Sequence, residues 1–261
     1  MGLFLSLRLA QRIVNVIDGL SHAALRVGKG DFSVRVTDPE HDQPDSEVGL
    51  LCADVSGKGT SAALMMANLQ AVAHGRLLLF DNAIVRPAPD AFVAAVNRDM
   101  SGRFGDNRYA TLFYGEFDSQ TQILRYVNAG HTPPLLISAE GEVTRLSDGD
   151  LPVGMFPDAT FQERRVMVPG GCSIVVYTDG VSDAMNSEGE EFGEEGIMRC
   201  LTSLPRPMDA EGICKHLAGK VAEWAAGADR FDDTTILALS VMPTSETHAM
   251  RGDKLPASYL D

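Results

Sequence analysis

No pair among the four cysteines, Cys52, Cys172, Cys200 and Cys214, stands at CxxC spacing. Their scatter fits reduced core residues of a cytosolic protein better than a disulfide frame or a zinc site. Nor does the chain contain an apolar run approaching the roughly 18 to 20 residues that a membrane-spanning helix needs. The opening Met1-Gly2-Leu3-Phe4-Leu5-Ser6-Leu7 is apolar but stops at Arg8, too short for a span or a full signal peptide. With Gly2 and Ser6 it matches the loose N-myristoylation pattern, so any membrane association is expected at the N-terminus of an otherwise cytoplasmic protein. Positive charge is scarce as well. Twenty-two Lys and Arg against 36 Asp and Glu leave a formal charge of −14, the wrong sign for a nucleic-acid partner.

What is present is the composition of a folded domain: 261 residues, 44 % hydrophobic and 22 % charged, enough to bury a sizeable core. Apolar residues at spacings of three and four predict a helix over 3–27, ended by Gly28 and Gly30. Asp31 to Val36 alternates like a strand, and 38–46 is a polar loop. An apolar run over 48–53 suits a buried strand. Helices are expected over 61–79 and 90–101, then strands over 109–117, 123–129, 135–138 and 172–177, separated by Gly and Asp turns. Helices over 192–201 and 209–226 and a strand over 234–242 complete the pattern, and 243–261 reads as a frayed tail. This order is not a regular βαβ alternation. It predicts an α+β sandwich with antiparallel sheets.

Three segments share one arrangement, in which an apolar strand delivers an aspartate to its end and a turn follows. They are Leu50-Leu51-Cys52-Ala53-Asp54, Ile174-Val175-Val176-Tyr177-Thr178-Asp179 and Arg230-Phe231-Asp232-Asp233-Thr234-Thr235. Singly, each aspartate is explained as a turn residue or strand cap. Together, carboxylates beside apolar strands are costly unless compensated, and three of them can compensate one another only through cations. Oxygen-only ligation suits Mg²⁺ or Mn²⁺. Lys58 is placed either to touch phosphate or to stand solvated at a helix start. A P-loop is excluded, since Gly59 follows Lys58 where Ser or Thr is required.

Asp54-Val55-Ser56-Gly57-Lys58-Gly59 resembles the DVSGKG signature of SpoIIE-type phosphatases, the branch of the protein phosphatase 2C (PPM) class found in bacterial signalling. Further matches follow in order. Tyr109-Ala110-Thr111-Leu112-Phe113-Tyr114-Gly115, Asn128-Ala129-Gly130-His131-Thr132-Pro133-Pro134, Leu151-Pro152-Val153-Gly154, Tyr177-Thr178-Asp179-Gly180 and Asp232-Asp233-Thr234-Thr235 are similar to that family's motifs. The resemblance implies two antiparallel sheets sandwiched between helices, with a binuclear Mn²⁺ or Mg²⁺ site at one end. Its implied ligands are Asp54, the carbonyl of Val55, Asp179 and Asp232, with Asp183 as an outer carboxylate. Two cations of this kind activate water for direct attack on phosphorus, so no cysteine nucleophile is needed. His131 is either a proton donor to the leaving oxygen or a structural turn residue.

The N-terminus departs from the family pattern. Gly30-Asp31-Phe32 stands 23 residues before Asp54, whereas the family's first ligand strand stands about 18 before, so Asp31 is one candidate ligand. Equally, Arg12 to Val36 followed by Asp45-Ser46-Glu47-Val48-Gly49 resembles a HAMP signalling module, which leaves the phosphatase without its first strands. The division expected is 1–47 as this helix and connector, 48–242 as the phosphatase domain and 243–261 as a flexible tail. The function implied is hydrolysis of phosphoserine or phosphothreonine on a regulatory protein of the anti-anti-sigma (STAS) type. A homodimer through the N-terminal helix is implied with it. The alternatives are a non-catalytic phosphatase-fold module that signals by binding a partner, and a hydrolase of small phosphate esters.

Overall fold

The computed structural model describes residues 47–81, 87–103, 108–228 and 233–243. All of them belong to one compact unit, Pro44–Asp261; the other unit, Met1–Gln43, lies outside the described residues. So do the expected helix over 3–27, the strand at Asp31, and the tail beyond 243.

Two four-stranded antiparallel sheets form the body. The first, in the order β1-β2-β3-β6, joins β1 (Glu47–Val55), β2 (Ala110–Asp118), β3 (Ile123–Ala129) and β6 (Arg164–Met167). The second, in the order β5-β4-β7-β8, joins β5 (Val143–Arg145), β4 (Leu135–Ile137), β7 (Ser173–Tyr177) and β8 (Ile236–Ser240). Helices α1 (Thr60–Asp81) and α2 (Pro89–Met100) follow β1. The short α3 (Asp179–Ser182) follows β7, and α4 (Gly193–Thr202) and α5 (Ala210–Trp224) precede β8.

Side-chain alternation along the strands builds three apolar layers. Leu112 and Tyr114 of β2 pack with Met65, Leu69, Phe92 and Val96 of α1 and α2. Phe113 and Phe117 turn the other way, toward Ile174 and Val176 of β7 and Leu50 and Cys52 of β1. Val175 and Tyr177 then face Ile197, Leu201, Ile213 and Leu217 of the helices α4 and α5. Both central strands are covered on both faces, which is why β2 and β7 read as near-continuous apolar runs. Among the described residues the one buried carboxylate, Glu116, accepts from Tyr114 Oη at 2.7 Å and from Arg125 at 2.7 Å.

Each helix and strand expected over 48–242 is present, and the sandwich is the architecture anticipated. Strands β5 and β6 and helix α3 were not anticipated. β5 has three residues and two exposed side chains, and β6 alternates half-buried Arg164 and Val166 with exposed Arg165 and Met167. Such short edge segments carry too little apolar pattern to announce themselves. β1 also runs two residues further than its apolar run, so Asp54 lies within the strand.

Phe92 is fully buried and stacks on Tyr114 with ring centroids 4.1 Å apart. Replacing it by Ala opens a cavity between α2 and the first sheet. Phe92→Ala should lower unfolding free energy by about 3 to 5 kcal/mol in a denaturant titration; a loss below about 1 kcal/mol would show that this layer is not the packed core described.

Candidate metal centre

Asp54 reaches its position through an uninterrupted register. Nine consecutive residues of β1 pair with β2, and Asp54 stands opposite Thr111. Asp54 is half-buried, and its Oδ1 accepts the Val55 N–H at 2.9 Å. Beyond the strand, Ser56 and Tyr109 extend the pairing through Ser56 N–H to Tyr109 O (2.9 Å) and Tyr109 N–H to Ser56 Oγ (3.1 Å). Lys58 follows, exposed, between Gly57 and Gly59, whose φ values of +88° and +83° are glycine conformations.

Asp179 comes from the other sheet. β7 ends at Tyr177, and Thr178 is bonded to the strand entering β8. Its N–H donates to Thr235 O at 3.1 Å, its hydroxyl donates to Asp233 O at 3.2 Å, and that hydroxyl accepts the Thr235 N–H at 2.9 Å. Asp179 then opens α3, exposed. Asp183, also exposed, closes the turn with its N–H on Asp179 O at 2.8 Å, while Ser182 Oγ donates to Asp183 Oδ1 at 2.8 Å. Gly180 must be glycine here, because a Cβ would stand 2.4 Å from Asp233 O. Asp232, the third expected carboxylate, lies outside the described residues.

A polar turn at residues 128–132 brings the two sheets' aspartate ends together. Asn128 holds both sides of it, accepting the His131 N–H at 2.8 Å and donating to His131 O at 3.0 Å. Gly130 has φ +71°, and a Cβ there would stand 2.6 Å from Pro152 Cγ. His131 Nδ1 lies 2.9 Å from Thr111 Oγ1, which in turn faces Asp54 O at 3.5 Å. Thr132 Oγ1 donates to Tyr177 O, two residues before Asp179. Asp54 and Asp179 are thus linked through Thr111, His131 and Thr132 across the end of the sandwich.

Burial pulls the His131 imidazole down to about 4, against the opposing effect of the Tyr177 carbonyl, so the ring is neutral at neutral pH. Nδ1 lies within hydrogen-bond distance of Thr111 Oγ1, and Nε2 is buried on the side of the Tyr177 carbonyl. His131 is thus a buried link between the turn and Thr111. Asn128, Thr111, Thr132 and Thr178 were not singled out by sequence reasoning, although each lies inside a quoted motif.

The donor set is oxygen only: Asp54, Asp179 and Asp183, with Val55 O beside them, which fits a hard divalent cation. Among the described residues, no three His, Cys, Asp or Glu side chains gather closely enough to hold a metal ion. Cysteine chemistry is disfavoured. Burial, with the nearby Asp54 charge, pushes the Cys52 thiol up to about 12, and burial raises Cys214 to about 11 and Cys172 and Cys200 in the same direction. Cys200 and Arg206 do share the CxxxxxR spacing of cysteine-dependent phosphatases. Yet Cys200 is buried in α4 rather than set at the base of a phosphate loop.

Comparison with known proteins agrees with this geometry. The sandwich superposes on the SiaA-PP2C domain of Pseudomonas aeruginosa with a TM-score of 0.62 at 18 % identity, covering 76 % of this chain and 80 % of that one. It also superposes on the PP2C phosphatase domain of SpoIIE from Bacillus subtilis, with a TM-score of 0.61 at 18 % identity over 75 % of this chain and 57 % of that one. The fold is that of the protein phosphatase 2C class. Residues 44–242 match the family model described as Stage II sporulation protein E (SpoIIE), and the chain belongs to that family. Protein IcfG of Synechocystis is 30 % identical over 75 % of this chain and 34 % of its own length. Phosphoserine phosphatase RsbP of Bacillus subtilis is 31 % identical over 52 % of this chain and 33 % of its own. The chain spans about a third of the length of these two curated relatives.

Because the folded state holds His131 neutral while the unfolded chain takes up its proton near 6.5, the contribution is complete above about pH 6.5. It is lost as pH falls from there toward about 4, roughly 3 kcal/mol at 1.36 kcal/mol per pKa unit. In EDTA, the parent should therefore lose more stability than His131→Asn between pH 7 and pH 4. Parallel stability curves would remove the neutral buried imidazole.

Proposed function

We propose that this chain is a metal-dependent protein phosphatase that hydrolyses phosphoserine or phosphothreonine on a regulatory protein of the anti-anti-sigma (STAS) type. The observation that carries the proposal is the convergence of Asp54 and Asp179 on one end of a phosphatase 2C sandwich, each from a different sheet. Two relatives named as phosphoserine phosphatases, RsbP and RsbU, support the phosphoserine assignment. A solved neighbour described with two manganese ions supports the cation pair, taken as Mn²⁺ or Mg²⁺.

Asp54, Val55 O, Asp179 and Asp232 would hold the cations, with Asp183 as an outer carboxylate. When bound, the cations lower the pKa of a water and neutralise charge on the phosphoryl oxygens. Asp54 and Asp179 supply the negative charge that keeps them in place, while Thr111, His131 and Thr178 fix the orientation of the backbone carrying those carboxylates. Lys58, exposed on the loop after Asp54, would meet the phosphoryl dianion. Asp31 is retained as a further candidate ligand, the HAMP-like alternative making it a connector residue. Residues 3–27 would pair with a second copy through their apolar stripe. No described helix is long and apolar enough to cross a membrane; membrane association, if present, would belong to the N-terminus of a cytoplasmic protein.

Phosphate release from a phosphoserine protein should require Mn²⁺ or Mg²⁺ and stop in EDTA. Asp179→Asn, which removes a ligand charge at nearly constant volume, should lower kcat at least a hundredfold, an effect of about 2.7 kcal/mol, with little change in melting temperature. Turnover surviving EDTA, or near-parent rates in folded Asp179→Asn, would refute the site. Metal binding itself is read separately. Mn²⁺ at a hundredfold excess over its Kd stabilises the folded parent by about 2.7 kcal/mol, and the double variant Asp54→Asn/Asp232→Asn should lose most of that shift.

A further inference from the structure

We propose that the loop at residues 148–160 is a docking surface for the protein substrate, and that it selects a phosphorylated segment carrying an apolar side chain beside a lysine or arginine. The proposal rests on the phosphatase reading, because it places this surface beside the same site.

The loop crosses the end of the first sheet that carries Asp54. Val153 and Ala110 exchange N–H···O bonds of 2.9 Å in both directions, and Ala110 is the strand partner of Val55. Asp150 N–H donates to Asn128 O at 2.7 Å, next to the turn that holds His131. Between residues 149 and 160 lies an open cavity of about 700 Å³, lined in part by Gly149, Leu151, Phe156, Pro157, Asp158 and Thr160.

Two features set this loop apart from an incidental connector. First, it exposes large apolar side chains, with Leu151 at 50 % and Phe156 at 52 % of their full exposure, both lining the cavity. Second, the protein uses a buried polar residue to keep them there. Asn97 of α2, only 1 % exposed, donates to Phe156 O at 2.9 Å and Pro157 O at 3.3 Å and accepts the Gly154 N–H at 2.7 Å. On the other side Arg164 grips both Asp150 oxygens, at 3.0 and 3.2 Å, and the Gln162 N–H donates to Asp150 at 3.0 Å. Exposed apolar groups on a rigidly held loop lose little freedom when a partner covers them, a property of recognition surfaces.

Charge selects the partner. Among the described residues, no lysine or arginine lines the cavity, whereas Asp158 is exposed in its wall and Asp148 is exposed just outside it. The nearby cation Arg164 is committed to Asp150. An apolar wall with a negative rim fits an apolar side chain flanked by a basic one.

The test uses peptides bearing the phosphonate analogue of phosphoserine, which is not hydrolysed, with binding followed by fluorescence anisotropy in Mn²⁺. The parent should bind a Leu- and Lys-flanked peptide at least fivefold more tightly than a Gly-flanked one. Phe156→Ser and Leu151→Ser, surface changes checked by melting temperature, should each erode that preference to about twofold or less. Asp158→Lys should turn a preference for Lys over Glu flanks into the reverse. No flank preference in the parent, or an intact one in Phe156→Ser and Asp158→Lys, overturns the docking surface. Mn²⁺-dependent release from p-nitrophenyl phosphate by the parent, run alongside, tests catalysis alone. Flank preference without turnover would keep the surface and reject the enzyme.

Discussion

The site depends on one polar turn. Residues 128–132 join the two sheets where an all-apolar interface has run out, and they do so with directed bonds rather than area. Asn128 closes the turn on itself, His131 reaches back to Thr111, and Thr132 reaches across to the carbonyl of Tyr177. Each of these bonds contributes only about 1 kcal/mol net. Their collective effect is positional. Sheets packed by side-chain interdigitation alone can slide by fractions of an ångström at low cost, whereas a hydrogen bond weakens steeply once its geometry is lost. The turn therefore fixes how the two aspartate-bearing ends meet, while strand register fixes where each aspartate emerges.

That positional control matters because the groups it holds repel one another. Asp54, Asp179 and Asp183 carry like charges at the same end of a chain whose formal charge is already −14. Without cations, the end of the sandwich must keep these carboxylates solvated, and Asp179 and Asp183 are indeed exposed. Backbone bonds fix the segments that carry them. The Thr178–Asp233–Thr235 bonds and the close approach of Gly180 to Asp233 O clamp the second sheet's contribution. Bonds already formed in the folded chain lower the ordering cost for whatever ligand binds at that end.

Legibility in the sequence followed the amount of burial. β1, β2, β3 and β7 are covered by apolar layers, and their runs from Leu50, Leu112, Leu124 and Ile174 declared the strands, those of β1 and β7 also the aspartates Asp54 and Asp179 at their ends. β5 and β6 are edges with mixed side chains, and nothing in Val143-Thr144-Arg145 distinguishes a strand from a turn. At the site, the carboxylates were legible as charges out of place beside apolar runs. The residues that position them were not. Thr111, Asn128, Thr132 and Thr178 are ordinary polar residues whose roles arise from contacts 20 or more positions apart, except for Asn128, which acts locally. His131 was legible as a choice between two roles, and the structure adds that its ring is buried and neutral.

Register is the last constraint, and it explains why such a site belongs at a strand end. A one-residue slip of β1 on β2 would carry Asp54 from the face toward the second sheet to the face covered by α1 and α2. There a carboxylate would meet Met65, Leu69 and Val96 instead of a partner strand's polar end. The same slip would drive Leu50 and Cys52 out of the layer they share with Phe113 and Ile174. The apolar residues that precede Asp54 thus have two effects. They bury area, and by alternating correctly over nine paired positions they leave only one face on which the aspartate can emerge. Placing the carboxylate one residue before the strand ends keeps that guidance while letting water and ions reach it. A position deeper in β1 would gain precision but incur the desolvation of a buried charge.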